Sequence, residues 1–136
     1  MILFENVGFQ YSENDEPILS NVSFLLEKGS YHFLSGASGS GKTSLMKLIY
    51  LSSLPTTGKI TMFDRKVHTF SRKDLIEMRQ RIGVVFQDFR LLNHLSAFDN
   101  VALPLRIIRR PEDEINKHVT ELLDWVGLGD EKDKLP

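Results

Sequence analysis

Residues 36–43 read Gly-Ala-Ser-Gly-Ser-Gly-Lys-Thr, a complete Gly-x-x-x-x-Gly-Lys-[Ser/Thr] string, and the fold turns on them. Gly36, Gly39 and Gly41 let the backbone curl so that successive N–H groups point inward and form an anion nest. A helix opening just beyond adds its partial positive charge to the same spot. Lys42 supplies a mobile cation for β- and γ-phosphates, and the Thr43 hydroxyl can ligate Mg²⁺. Ala37, Ser38, Ser40 and Ser44 complete the cradle as phosphate neighbours, although hydroxyls around such a loop also serve as turn and cap residues. A glycine-rich turn that binds nothing has no use for Lys and Thr at those two positions. The string implies a nucleotide site in an α/β P-loop NTPase fold.

The flanks agree with that reading. Residues 31–35 predict a short strand running into the loop, and residues 42–51 predict a helix with Leu45, Leu48 and Ile49 on one face. Upstream, 2–10 and 18–26 read as strands joined by the turn chemistry of residues 12–17. Downstream come a strand at 58–63, a helix N-capped by Ser71 and running to Gln80, and an apolar strand at 82–87. The character then changes. Residues 97–108 look helical, with Pro104 expected to kink or end the helix. Residues 112–126 are amphipathic, with Ile115, Val119, Leu122, Leu123 and Val126 on one stripe, Trp125 reading as a packing residue, and Gly127 and Gly129 as the stop. This division predicts a β subdomain plus P-loop core over 1–90 and the start of a helical subdomain over 91–136.

Bulk composition bounds the function classes. With 136 residues, 41% hydrophobic and 26% charged, the chain can bury a real core. A net charge of -1 gives no general pull toward nucleic acid or an anionic membrane. Six basic side chains (Arg65, Lys66, Arg72, Lys73, Arg79, Arg81) against two acidic ones mark residues 65–81, and eight acidic against two basic mark 112–133; both read as solvated faces. There is no cysteine, hence no disulfide or thiolate metal site, which suits a reducing cytoplasm. No apolar stretch approaches the roughly 20 residues of a membrane span, so a membrane link would run through a partner rather than by direct insertion. His32, His68, His94 and His118 lie far apart without ligand spacing.

A P-loop alone fits several enzyme classes. A guanine-reading Asn-Lys-x-Asp motif is absent, since Asn116-Lys117-His118-Val119 lacks the Asp. Nucleoside and shikimate-type kinases start close to their P-loop, whereas 35 residues precede this one. Over its whole length the sequence resembles ABC ATP-binding domains with their N-terminal β subdomain. Phe-Glu-Asn-Val-Gly-Phe-Gln-Tyr at 4–11 is similar to the family's opening strand, which implies that Tyr11 stacks on adenine. Val-Val-Phe-Gln-Asp at 84–88 resembles the Q-loop, which implies that Gln87 reaches Mg²⁺ and the attacking water. The stretch 86–105 and Asp-Trp-Val-Gly-Leu at 124–128 resemble FtsE-type cell-division ATP-binding proteins; related exporter and lipoprotein-releasing ATPases carry similar wording.

That resemblance implies ATP and Mg²⁺ as cofactors, a homodimer in the full-length protein, and an FtsX-like membrane permease as partner, with the ATPase peripheral on the cytoplasmic face. Phe89, Leu91, Leu92 and Phe98 are then candidate contacts with the membrane subunit, or core residues of the helical subdomain. The family's signature, Walker B, D-loop and switch-histidine elements find no match. The chain is accordingly expected to be an N-terminal part, truncated before the signature and Walker B elements, that binds nucleotide without hydrolysing it. A non-catalytic nucleotide-binding fragment stays open beside it.

Overall fold

Apolar residues two apart along the first strand meet their like across both neighbours. Strand β1 (Ile2–Phe9) pairs antiparallel with β2 (Leu19–Leu26) on one side and β3 (Thr57–Met62) on the other, and β4 (Arg65–Lys66) closes the sheet in the order β2-β1-β3-β4. Phe4 and Phe24 sit opposite one another on β1 and β2 with rings stacked at 4.4 Å. The alternation of β1 breaks at Asn6, whose φ of 51° accompanies a register shift between Phe4 and Val7. After it Val7, Gly8 and Phe9 are all buried. In this computed structural model, which describes residues 1–136, the chain divides into two compact units, Met1–Val84 and Val85–Pro136.

The first unit packs two helices on that sheet. Helix α1 (Lys42–Ile49) and the turn after it contribute Leu48 and Leu51, and α2 (Arg72–Gln80) contributes Met78, to a core with Phe4, Val7, Ile60 and Met62. Each of these side chains is almost wholly removed from water, worth about 1.5–3 kcal/mol apiece. Helix α2 starts at Ser71 as expected, with a capping box in which Ser71 Oγ accepts from Asp74 N–H and Asp74 accepts from Ser71 N–H. Its far end is pinned to the turn after α1 by Arg79, which donates twice to the Leu51 carbonyl at 2.7 and 3.1 Å.

The second unit is a helix pair. Helices α3 (Ala97–Ile107) and α4 (Glu112–Trp125) bury Ala102, Ile115, Val119 and Leu123, with Phe98, Val101 and Leu105 packed around them. Arg106 clamps the pair by donating to Asp99 at 2.8 Å and Glu112 at 2.9 Å. Asn100 holds the approach to α3, its side-chain amide donating to the carbonyls of Leu92, Leu95 and Ser96 while accepting from Leu92 N–H.

Four expectations need correcting. Residues 31–35 and 82–87 form no strand. A strand is defined by its neighbour, and no other segment of the chain forms a ladder with either of them. Of the two outcomes expected at Pro104, a kink or an end, the helix does not end there: α3 runs on to Ile107. The proline stands in the last turn, where its missing donor removes one bond, and Ile108 N–H still reaches the Pro104 carbonyl. Trp125 is 84% exposed rather than packed. The buried stripe of α4 runs through positions 115, 119 and 123, and a residue two beyond 123 points to the opposite side. Leu122 and Val126, assigned to the stripe, are likewise largely exposed.

Candidate functional site

The loop between β2 and α1 cannot be built from ordinary residues. Gly36, Gly39 and Gly41 have φ values of 152°, 80° and 86°, in the region that L side chains avoid. At Gly41 a Cβ would also stand 2.8 Å from Leu19 Cδ2 and 3.3 Å from Ile18 Cγ2, so the loop leans directly on the start of β2. Ser40 N–H returns to the Ala37 carbonyl at 3.3 Å, which closes the turn.

Two sets of donors result. Helix α1 has no side-chain cap, and its backbone bonding begins with Leu45 N–H to the Gly41 carbonyl at 2.8 Å. The amides of Lys42, Thr43 and Ser44 are therefore helix-terminal donors without an intrahelical acceptor. Lys42 folds back across the loop, donating to the carbonyls of Gly36 (2.9 Å) and Ala37 (2.7 Å). An ammonium has three donors, so one is left for a ligand. Ser38, Gly39, Gly41, Lys42, Thr43, Ser44 and Ile18 line an open concavity of about 440 Å³ at this place.

Amides, an ammonium and a helix N-terminus converging on one concavity form an anion site of the kind that holds phosphate groups. A divalent ion has a fitting, if partial, ligand in the exposed Thr43 hydroxyl. Mg²⁺ characteristically takes one or two protein oxygens and fills the rest of its shell with phosphate oxygens and water. No cluster of His, Asp and Glu offers an alternative cage, and the four histidines are all exposed.

Tyr11 lies two residues past the end of β1 and reaches α1. Its hydroxyl is 3.2 Å from Ser44 Oγ and accepts from Lys47 Nζ at 3.0 Å; its ring meets Phe9 edge-on at 4.9 Å. The hydrogen bond from the Lys47 ammonium, seconded by Ser44, holds the phenol pKa below its ordinary value because it favours the phenolate. Ser44 itself is buried, whereas the Tyr11 ring remains 55% exposed.

The structure thus brings Tyr11 and residues 36–44 together within the first unit. Gln87 belongs to the second. It is exposed on a turn closed by Phe89 N–H to the Phe86 carbonyl at 3.2 Å, beside an Asp88–Arg90 ion pair and the Arg90 guanidinium lying over the Phe86 ring. Of the candidate membrane-subunit contacts, Phe98 packs on the helix-pair core, while Phe89, Leu91 and Leu92 are exposed. Lys47 went unnoticed in the sequence: it stands 36 positions from Tyr11, and only the fold joins them.

Comparison with known proteins follows the same line. A family profile described as ABC transporter matches residues 19–136. The methionine import ATP-binding protein MetN 2 of Bacillus cereus is 38% identical over 138 aligned residues, spanning all of this chain and 41% of the relative. The cell division ATP-binding protein FtsE of Mycobacterium tuberculosis is also 38% identical, over 136 residues and 59% of its length. The chain therefore spans roughly half the length of these curated relatives. Among solved structures, the dimeric ATP-binding cassette MJ0796 bound to ADP and Pi superposes with a TM-score of 0.86 at 30% identity, covering 100% of this chain and 62% of that one. The cbiO1 protein of Clostridium perfringens, part of the cbiONQ transporter complex, gives 0.81 at 27% identity, with coverages of 98% and 53%. No helix of the chain is long and apolar enough to cross a membrane. The chain belongs to the ABC transporter family and has the α/β fold of its ATP-binding cassettes.

Proposed function

We propose that the chain binds the triphosphate of ATP in the loop Gly36–Ser44, stacks the adenine on Tyr11, and holds Mg²⁺ through Thr43 and Gln87. The observation that carries this reading is the convergence of the Lys42 ammonium, the uncapped amides of α1 and the Thr43 hydroxyl on one concavity. Lys42 neutralises phosphate charge, the amides fix its position, and the exposed ring of Tyr11 offers the base a π-face. Titrating the purified protein with ATP and Mg²⁺ in a calorimeter tests it. Lys42→Ala should weaken binding at least roughly tenfold, the scale of one charge-assisted contact. Equal affinity of the two proteins would end the proposal.

In the whole protein we assign this site to the ATP-binding subunit of a membrane complex that couples the ATP cycle to a permease partner, working as a dimer on the cytoplasmic face. The finer reading is cell division of the FtsE type with an FtsX-like permease. The resemblance over 86–105 supports it, as does an alignment to FtsE no longer than the chain itself. A second reading, the ATPase of a solute transport system, is favoured by the equal identity of the MetN relative. Disruption of the gene separates them: a septation defect supports the first, and loss of uptake with normal septa supports the second.

A further inference from the structure

Resting on the ATP-site reading above, we propose that Lys47 is a positioning residue: it ties the Tyr11 ring to helix α1, so that base platform and phosphate cradle are held by a single helix. Lys47 Nζ is 3.0 Å from the Tyr11 hydroxyl oxygen but 4.9 Å from the ring centroid. An ammonium so much nearer the oxygen than the ring centre stands beyond the hydroxyl end, not on the ring face, and leaves the face to a base. Ser44 Oγ, 3.2 Å from the same oxygen, gives the ring a second attachment to α1. Lys47 can only donate, so the phenol oxygen accepts from it, while the hydroxyl pair of Tyr11 and Ser44 can share its proton in either direction. Phe9 braces the ring from the core side, its centroid 4.9 Å away and its plane at 79°.

The same geometry argues against Lys47 as a phosphate ligand. Five residues along a helix from Lys42, it projects well round the cylinder from that side chain. It also lies outside the set of residues that line the phosphate concavity. Its effect on nucleotide therefore passes through Tyr11. The ring sits past the end of β1 and is 55% exposed, so without the tether it would have to be ordered by the incoming ligand.

The experiment compares ATP with inorganic tripolyphosphate, which has the phosphates and no base, on the purified protein in Mg²⁺. Lys47→Met should weaken ATP by roughly three- to tenfold, the range of one hydrogen bond, and leave tripolyphosphate unchanged. Tyr11→Phe keeps the ring but loses the acceptor, and should show the same loss. The double variant should be no worse than either single one, and Lys47→Arg should recover most of the affinity. An independent signature is the phenolate absorbance of Tyr11, taken as the difference from Tyr11→Phe: its midpoint should rise in Lys47→Met, because the cation no longer favours the phenolate. Equal weakening of ATP and tripolyphosphate by Lys47→Met would make Lys47 a phosphate contact and overturn the proposal. Unchanged ATP affinity, additive single variants or an unmoved phenolate midpoint would also overturn it. A wild-type protein that binds neither ATP nor tripolyphosphate would refute the ATP site itself, a result none of those outcomes can mimic.

Discussion

Asp74 shows how much one side chain can hold at an exposed helix start. One carboxylate oxygen accepts from Ser71 N–H at 2.8 Å and Ser71 Oγ at 2.6 Å, and the other accepts from the Arg65 guanidinium of β4. The Ser71 hydroxyl first, and Arg65 after it, hold the Asp74 carboxyl far below the usual carboxylate range. A carboxyl depressed in the folded state stabilises it fully above the unfolded pKa, near 4, and loses that contribution as the pH falls through the folded value. Asp74→Asn should therefore lower the urea midpoint at neutral pH, and the gap to wild type should shrink as the pH is taken below 4. A gap of constant size down the whole acid limb would show that the charge on Asp74 contributes nothing to stability. The cap was legible from Ser71 before the helical pattern, because both partners lie within one turn. The Arg65 contact was not, since it depends on β4 lying beside α2.

Helices α1, α3 and α4 end in the same way, and only one of them uses the residue best suited to it. In each, the N–H two residues beyond the cap returns to the carbonyl three from the helix end: Ser52 to Lys47 at 2.9 Å, Arg110 to Leu105 at 3.1 Å, Leu128 to Leu123 at 2.8 Å. The residue between must turn left-handed. It is Gly127 after α4, with φ of 77°, but Leu51 after α1 and Arg109 after α3, with φ of 59° and 60°. Leu51 repays its strain by being 1% exposed in the core. Arg109 is exposed and has no such return. Arg109→Gly should raise stability by about 1 kcal/mol and Gly127→Ala should lower it by about the same, both read from chemical denaturation. A destabilising Arg109→Gly would mean that its side chain, not its backbone, decides that position. Gly127 was visible as a stop in the sequence; Leu51 and Arg109 were not, because nothing in a leucine or an arginine announces a positive φ. Elements held by local signals, such as the Gly-rich loop and the Ser71 cap, were legible, and of the α4 stripe Ile115, Val119 and Leu123 were. Residues 31–35 and 82–87 carry strand composition, yet composition cannot supply the neighbour that makes a strand.

At the scale of the whole chain, the surface is larger than its mass accounts for. It totals 10048 Å², where even two separate globules of these sizes would expose roughly 8,700 Å². Large apolar side chains are among what it exposes. Tyr31 and Phe33 in the first unit are 81% and 86% exposed, and Val85, Phe89 and Trp125 in the second are 98%, 78% and 84% exposed. Tyr31 and Phe33 also border a largely apolar cleft of about 430 Å³ lined by Phe24, Leu45 and Ile49. All of them but Trp125 fall on or beside the two segments that form no ladder, so unladdered backbone lies next to exposed apolar side chains. That combination recruits further strands, and a net charge of -1 opposes it only weakly. The protein should therefore self-associate, with a sedimentation coefficient that rises with concentration across a dilution series. Phe33→Lys and Val85→Lys remove no buried contact, so each should shift the distribution toward monomer without lowering the denaturation midpoint. A single monomeric species at every concentration would show that the exposed apolar side chains are too dispersed to drive association.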